Sequence, residues 1–229
     1  MLFRLFRLPP MVYLVLAPLC LAAGVAMLIY ENGRDAERTA ALSHDAPALI
    51  ELAAITSDDS GSDFNEVTVR AQVDPMNMIE MVKTKRGSER GRTLYAPLYP
   101  ADAADFSGEA LAVMEINGSV SDDQLAQFYV SDGAAGPVLV LNGLLEGAGN
   151  NKAFDALGQS VKLTNGFRTI KPFVNGRQVD LKPTGMGNVL LMLSLVLAAI
   201  FGGYGYFRKR SVDKARAEEE AHFAEQAPG

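Results

Sequence analysis

Cysteine is almost missing from this chain. Cys20 is the one thiol in 229 residues, and it falls inside a long apolar run. The polar remainder has no disulfide to staple it and must fold on its own hydrophobic core. The same scarcity excludes thiolate catalysis and cysteine-ligated zinc or iron–sulfur centres. Histidine is nearly as rare, with only His44 and His222, and tryptophan does not occur. There is no glycine-rich phosphate loop, no Gly-x-Ser-x-Gly elbow and no His-Glu-x-x-His signature. Cations are in short supply as well: 21 Lys and Arg against 27 Asp and Glu give a net charge of −6 and a pI near 5.0. Nucleic-acid binding rests on neutralised phosphates, so a DNA- or RNA-binding role is not expected.

What the chain has instead is two long uncharged apolar runs, Leu8 to Tyr30 and Pro183 to Phe207. Each exceeds the roughly 20 residues needed to cross about 30 Å of hydrocarbon. They predict a membrane protein with two transmembrane helices flanking one β-rich extracytoplasmic domain, a small barrel or sandwich of α+β character. The divisions fall at 1–7 (cytoplasmic N-terminus), 8–30 (span), 31–182 (outer domain), 183–207 (span) and 208–229 (cytoplasmic helical tail). Arg4 and Arg7 precede the first run, while Arg208, Lys209 and Arg210 follow the second. On the inner flanks Arg34 and Arg38 are matched by Glu31, Asp35 and Glu37. The positive-inside rule then places both termini in the cytoplasm and the central domain outside. On that topology His44 and His222 lie on opposite sides of the membrane and share no site. A cleaved signal peptide is the alternative for the first run, with Gly24-Val25-Ala26 as the cleavage site, but the run is longer than the usual h-region. An uncleaved anchor is expected, kinked at Pro18. Abundant alanine, few lysines and a disulfide-free outer domain indicate a Gram-negative inner membrane with a periplasmic domain. A mitochondrial inner membrane is the alternative.

The outer domain carries a net charge of −8 from Glu31 to Lys182 and reads as strands. Asp35 to Leu42 extends the first span as a stalk helix. Ala48 to Ile55, Glu109 to Ile116 and Pro137 to Leu145 are apolar runs closed by turn residues. Val67, Val69, Ala71 and Val73 alternate with Thr68, Arg70 and Gln72, which puts the first set inside and the polar set outside. Met76 to Thr84 and Thr93 to Tyr99 flank a basic segment and read as a hairpin. Ser121 caps a short helix at Asp122-Asp123, and Asn151 to Leu157 forms another. Asn175-Gly176, between Thr169–Val174 and Arg177–Leu181, predicts a hairpin with a type I′ turn.

Candidate chemistry is thin. The pairs Asp122/Asp123 and Asp102/Asp105 fit a helix start and a loop, and Ser160/Lys162 is one of many pairs that proximity in sequence offers. The acidic loop Asp58, Asp59, Asp63 and Glu66 lacks the spacing of a twelve-residue calcium loop and reads as solvated. Neither run contains an ionisable residue, which gives ion conduction no support. Two surfaces stand out as partner-binding. One is the basic hairpin tip, Lys83, Lys85, Arg86, Arg90 and Arg92, a reversal of sign in an acidic domain. The other is the small-residue face of the second run, Ser194, Ala198 and Gly202, at intervals that let helix backbones approach. Ala22 and Ala26 offer a matching face on the first run, so packing of the two spans on each other is the simpler use.

The order helix, outer β domain of about 150 residues, helix resembles the surfeit-locus cytochrome oxidase assembly factors in topology and length. Those proteins carry Asn-Arg-Gly-Trp late in the outer domain, where this chain has no Trp and offers Leu141-Asn142-Gly143-Leu144. Glu31-Asn32-Gly33-Arg34 with Thr39-Ala40-Ala41-Leu42 is similar to the entry into the outer domain of the LUMA family. Neither likeness carries a function across, and no family is assigned. The expected role is a non-enzymatic assembly factor, accessory subunit or scaffold of an envelope or respiratory complex, without cofactor or metal, whose partner is another membrane protein. A ligand-binding or sensing module acting through a separate partner is the alternative. The tail from Arg208 is expected to be too short for a signalling output of its own.

Overall fold

The computed structural model describes residues 9–55, 64–147 and 151–226. Two units emerge: a helical one drawn from 1–36 and 184–229, and a β unit, Glu37–Pro183.

The helical unit consists of α1, Pro10–Leu42, whose last turns belong to the β unit, and the 41-residue C-terminal helix, Met186–Gln226. Both are long and apolar enough to cross a membrane. The first runs without interruption through Pro18 and past Tyr30, so the stalk expected at Asp35–Leu42 is a continuation of it. The two pack antiparallel. The Tyr13 and Tyr204 rings meet edge to face at 4.9 Å, Gly24 lies against Ser194, and at the far end Asp35 accepts from the backbone N–H groups of Thr184 (3.0 Å) and Gly185 (2.9 Å). That carboxylate meets donors at the start of the second helix, where its charge also complements the helix dipole. The small residues are what bring the backbones together. A Cβ at Gly24 would stand 2.4 Å from the Ser194 Cβ, and one at Gly205 would stand 2.9 Å from the Tyr13 Cβ. Ala22 and Ala26, expected to supply the first helix's close face, point outward; Tyr13, Ala17 and Gly24 face the neighbour instead.

In the β unit eight strands form one mixed sheet. They are β1 (Leu49–Glu51), β2 (Glu66–Val73), β3 (Ile79–Lys85), β4 (Ser88–Pro100), β5 (Ala110–Asn117), β6 (Tyr129–Asp132), β7 (Pro137–Glu146) and β8 (Leu163–Pro172). β2 pairs with both β4 and β7, so β2-β4-β5-β8-β7 closes on itself as a five-stranded barrel. β7 returns to lie beside β2, which gives the spatial order β7-β2-β4-β5 of a Greek key. β8 then closes the ring, parallel to β5 and antiparallel to β7. This is the connectivity of OB-type barrels, and the likeness is one of connectivity alone. The barrel alternative of the sequence reading is the one realised.

The barrel interior is filled by Val67, Val69, Ala71 and Val73 from β2, Leu98 from β4, Met114 from β5, Leu141 from β7 and Ile170 from β8. Each strand contributes alternate residues, as a pleat requires. Helix α2, Asp122–Ala126, is held by a capping box between Ser121 and Gln124, and the following Phe128 joins the interior cluster. Helix α3, Asn151–Leu157, packs Ala153 and Leu157 on the outer face against Tyr95, Val113 and Phe167.

The expected hairpin at Asn175-Gly176 is not formed. Arg177–Asp180 is a single helical turn, α4, and β8 ends at Pro172. Gly176 does take a positive φ, 87°, but uses it as the residue before a helix rather than inside a turn. The alternation over Arg177–Leu181 was too short to decide, and long-range partners override it. Leu181 becomes fully buried. Gln127 of the α2 region donates to the Val174 carbonyl at 2.8 Å, and Asp180 accepts from the Asn175 side-chain amide at 2.9 Å. The first strand-like run likewise divides, into β1 and a 3₁₀ turn at Leu52–Ala54. Lengthening β8 back to Leu163, and adding β6, are features the turn residues did not announce.

Candidate partner-binding site

The hairpin that does form is β3–β4, and it carries the basic residues. Its loop is two residues long, Arg86-Gly87, between the paired Lys85 and Ser88. Both loop residues have positive φ, 54° and 78°, the signature of a type I′ turn, whose twist matches that of the flanking strands. A register shift at Lys83/Thr84 leaves Arg90 as the extra residue of a bulge. β4 joins β5 only from Thr93 onward. Beyond that point the two strands pair with each other alone, and Glu80–Gly91 is exposed on both faces. The result is a free ribbon whose last four residue pairs reach about 14 Å at ~3.4 Å each.

Charge on the ribbon is sorted by face. Arg92 lies across the strand pair from Val82, on the face that also holds Glu80 and Glu89. Its guanidinium donates to Glu89 (2.5 and 2.9 Å) and Glu80 (3.2 Å). The Arg92 hydrogen bond is the main reason that the Glu89 carboxyl is held below the usual carboxylate range. Arg92 itself is pushed further above its ordinary value, by Glu89 first and Glu80 second. Four cations remain: Lys83 and Lys85 on the opposite face with Met81, Arg86 at the turn and Arg90 at the bulge. They make no ion pair or hydrogen bond with any described residue. Of the five residues expected at this tip, four are therefore available to a partner and Arg92 is occupied.

The small-residue face is placed differently. Ser194 and Ala198 are turned toward the first helix, with Ala198 only 7% exposed, and Ala17 lies 3.6 Å from where a Gly202 Cβ would be. The Ser194 hydroxyl bonds to the Leu190 carbonyl at 2.8 Å within its own helix. These residues serve packing of the two helices.

Two further clusters escaped the sequence reading. Glu66, expected in a solvated acidic loop, is 4% exposed. It accepts from Arg177 (2.7 and 3.0 Å) and from the Asn142 amide (2.8 Å). The same guanidinium donates to the carbonyls of Ala41 (2.6 Å) and His44 (3.0 Å) at the end of α1. It thus offsets the partial negative charge of those carbonyls and, within the β unit, ties residues 41–44 to the barrel. Asp58, Asp59 and Asp63, the rest of that loop, lie outside the described residues. Gln72, expected on the solvent face of β2, is fully buried and clamps two loops. It donates to Ala101 and Ala103 and accepts from the amides of Ala135 and Gly136. A polar residue in an alternating strand normally signals solvent; no local pattern distinguishes a buried clamp.

α3 covers part of the outer face of β4 and β5. Beside it Lys171 of β8 lies 2.5 Å from Glu146 of β7 and 3.4 Å from Glu115 of β5. Burial works against the Lys171 charge, but the two carboxylates outweigh it and hold its pKa above the ordinary value. Burial, together with the same carboxylates, raises that of Tyr95. No family model, curated protein or solved structure matches this chain.

Proposed function

We propose that the chain is a two-pass inner-membrane protein, both termini cytoplasmic, that presents the barrel in the periplasm. On this reading it is a non-enzymatic assembly factor, accessory subunit or scaffold of an envelope or respiratory complex. The membrane part is supported by the outward faces of the two helices, where Met11, Val15, Ile29, Met192, Val196 and Phe207 are exposed. Leaving so much apolar area in water costs about 25 cal/mol per Å2, a cost that lipid removes. The partner part rests on one observation, the exposed ribbon whose four cations pair with no described residue, on an acidic domain. Cations fixed on a regular two-stranded frame suit recognition of an acidic surface on another membrane protein and accelerate its encounter.

The experiment is purification from native membranes in mild detergent. A stoichiometric partner is expected with the parent chain, and the doubly reversed variant Arg86→Glu, Arg90→Glu should lose it while inserting normally. A partner retained by that variant would remove the ribbon from the reading, and purification of the chain alone would remove the scaffold. Orientation is checked separately. A reporter active only outside the cytoplasm should work when fused after Asn150 and be silent after Gly229.

A second reading, a ligand-binding module acting through a separate partner, is favoured by the concavities beside β8.

A further inference from the structure

The barrel wall is broken once, in its parallel seam. β5 and β8 pair at Ala110↔Leu163 and next at Ala112↔Arg168, so β8 places four residues where β5 places only Leu111. Those four, Thr164 to Phe167, bow out of register, with Gly166 at φ 75° to allow the bend. Beneath the bow is a cavity of about 380 Å3, walled by Leu52, Ile55, Leu111 and Phe167 on the apolar side and by Asn165 and Arg168 on the polar side. The other side of the same segment borders a second concavity of about 560 Å3 that also takes in Glu109 and Phe154. The Thr164 hydroxyl is spent on Glu109 at 3.2 Å. The Asn165 amide is exposed, lines both spaces, and makes no hydrogen bond to any described residue.

We propose that this break is a binding site for a small carboxylated amphiphile. An apolar tail of about seven carbons lies against Leu52, Ile55 and Leu111, and the carboxylate accepts from Asn165 and Arg168. The space falls within the roughly 300–1,000 Å3 of small-molecule sites, apolar with a few polar groups to fix orientation. At ~30 Å3 for each water-sized group it holds about a dozen, which matches a ligand of about ten heavy atoms. The Asn165 amide can donate to a carboxylate and Arg168 puts positive charge on the same wall, while no carboxylate is among the described residues that line this cavity. The site lies on β8, away from the ribbon. It goes beyond the scaffold reading, and either can fail without the other.

The test uses the full chain in lipid nanodiscs, titrated with sodium octanoate and followed by saturation-transfer NMR against empty nanodiscs. Saturable binding above the blank is expected. Ala53→Phe changes an exposed residue on the cavity lining and should fill the space, weakening octanoate about tenfold or more while leaving any co-purifying partner in place. Asn165→Ala, at an exposed position, should weaken it about fivefold by removing one donor; it carries the test if Ala53→Phe lowers the melting temperature. Octylammonium should not compete. The proposal is overturned if octanoate binds no more than to empty nanodiscs, if neither variant changes its affinity, or if octylammonium binds equally well.

Discussion

Arg86-Gly87 and Asn175-Gly176 pose the same local question and receive opposite answers. Each dipeptide ends in a glycine at positive φ, 78° and 87° respectively. The first turns a two-residue hairpin; the second starts a helical turn. Asn-Gly is the stronger hairpin signal of the two, yet it is the one that fails. The difference lies in what stands beyond each turn. After Gly87 the chain meets only its own preceding strand, and local pairing decides. After Gly176, Arg177 is drawn to Glu66 and to the carbonyls of Ala41 and His44, while Leu181 is drawn into the interior. A desolvated ion pair and a buried leucine outweigh the few tenths to one kcal/mol that distinguish turn types.

The largest test of that explanation removes the attraction. Arg177→Ala takes from the Glu66 carboxylate, 2% exposed in its side chain, the guanidinium that meets both of its oxygens. A loss of about 3 kcal/mol or more is expected, read as a fall in the melting temperature of the purified chain, because an abandoned buried charge costs far more than a surface one. A loss under about 1 kcal/mol would mean that the pair does not hold the turn.

The next test separates the two glycines. A Cβ at either would meet nothing within 4 Å, so any penalty comes from the backbone alone. Gly176 sits at φ 87°, ψ 149°, a region essentially reserved for glycine. Gly176→Asn should cost about 1–3 kcal/mol in thermal unfolding. Gly87 lies in the left-handed range expected of a type I′ turn, which asparagine tolerates, so Gly87→Asn should cost only about a few tenths. Equal costs would show that the two positions do not differ as described.

The smallest effect is a matter of pH at the ribbon. The Glu89 carboxyl is held low by Arg92, so this pair contributes above the ordinary carboxylate range, and its contribution is lost as pH falls through the lowered pKa. Carboxyl NMR should give Glu89 a midpoint below that of an ordinary glutamate, returning toward it in Arg92→Gln. The pair is exposed, so little change in overall stability should accompany it.

Much of the architecture was legible locally. The alternating valines of β2 gave its inward face, the two apolar runs gave the two long helices, and Ser121 and Asn151 marked short helices where they occur. The five cations of the ribbon were legible for the same reason: an exposed segment makes few long-range contacts, so its composition is its chemistry. The occupation of Arg92 was less so. Its partner Glu89 is near in sequence, but Glu80 reaches it only across the strand pair. Ala22 and Ala26 had the right spacing on the first helix, yet rotation about the helix axis is set by which side chains interlock, and Gly24 against Ser194 won.

By itself, the sequence determined the elements whose signal is periodic and short in range: two apolar helices, alternating strands, helix caps and an acidic domain with a basic tip. Tertiary structure alone decided how β2 came to pair on both sides and close the barrel, why Gln72 and Glu66 are buried, and why Asn175-Gly176 begins a helix. The physical reason is that each of those outcomes depends on a partner distant in the chain: 111 positions separate Glu66 from Arg177, and 63 separate Gln72 from Ala135. Periodicity reports which face of an element is apolar; it carries no record of which distant polar group will meet a buried one and satisfy it.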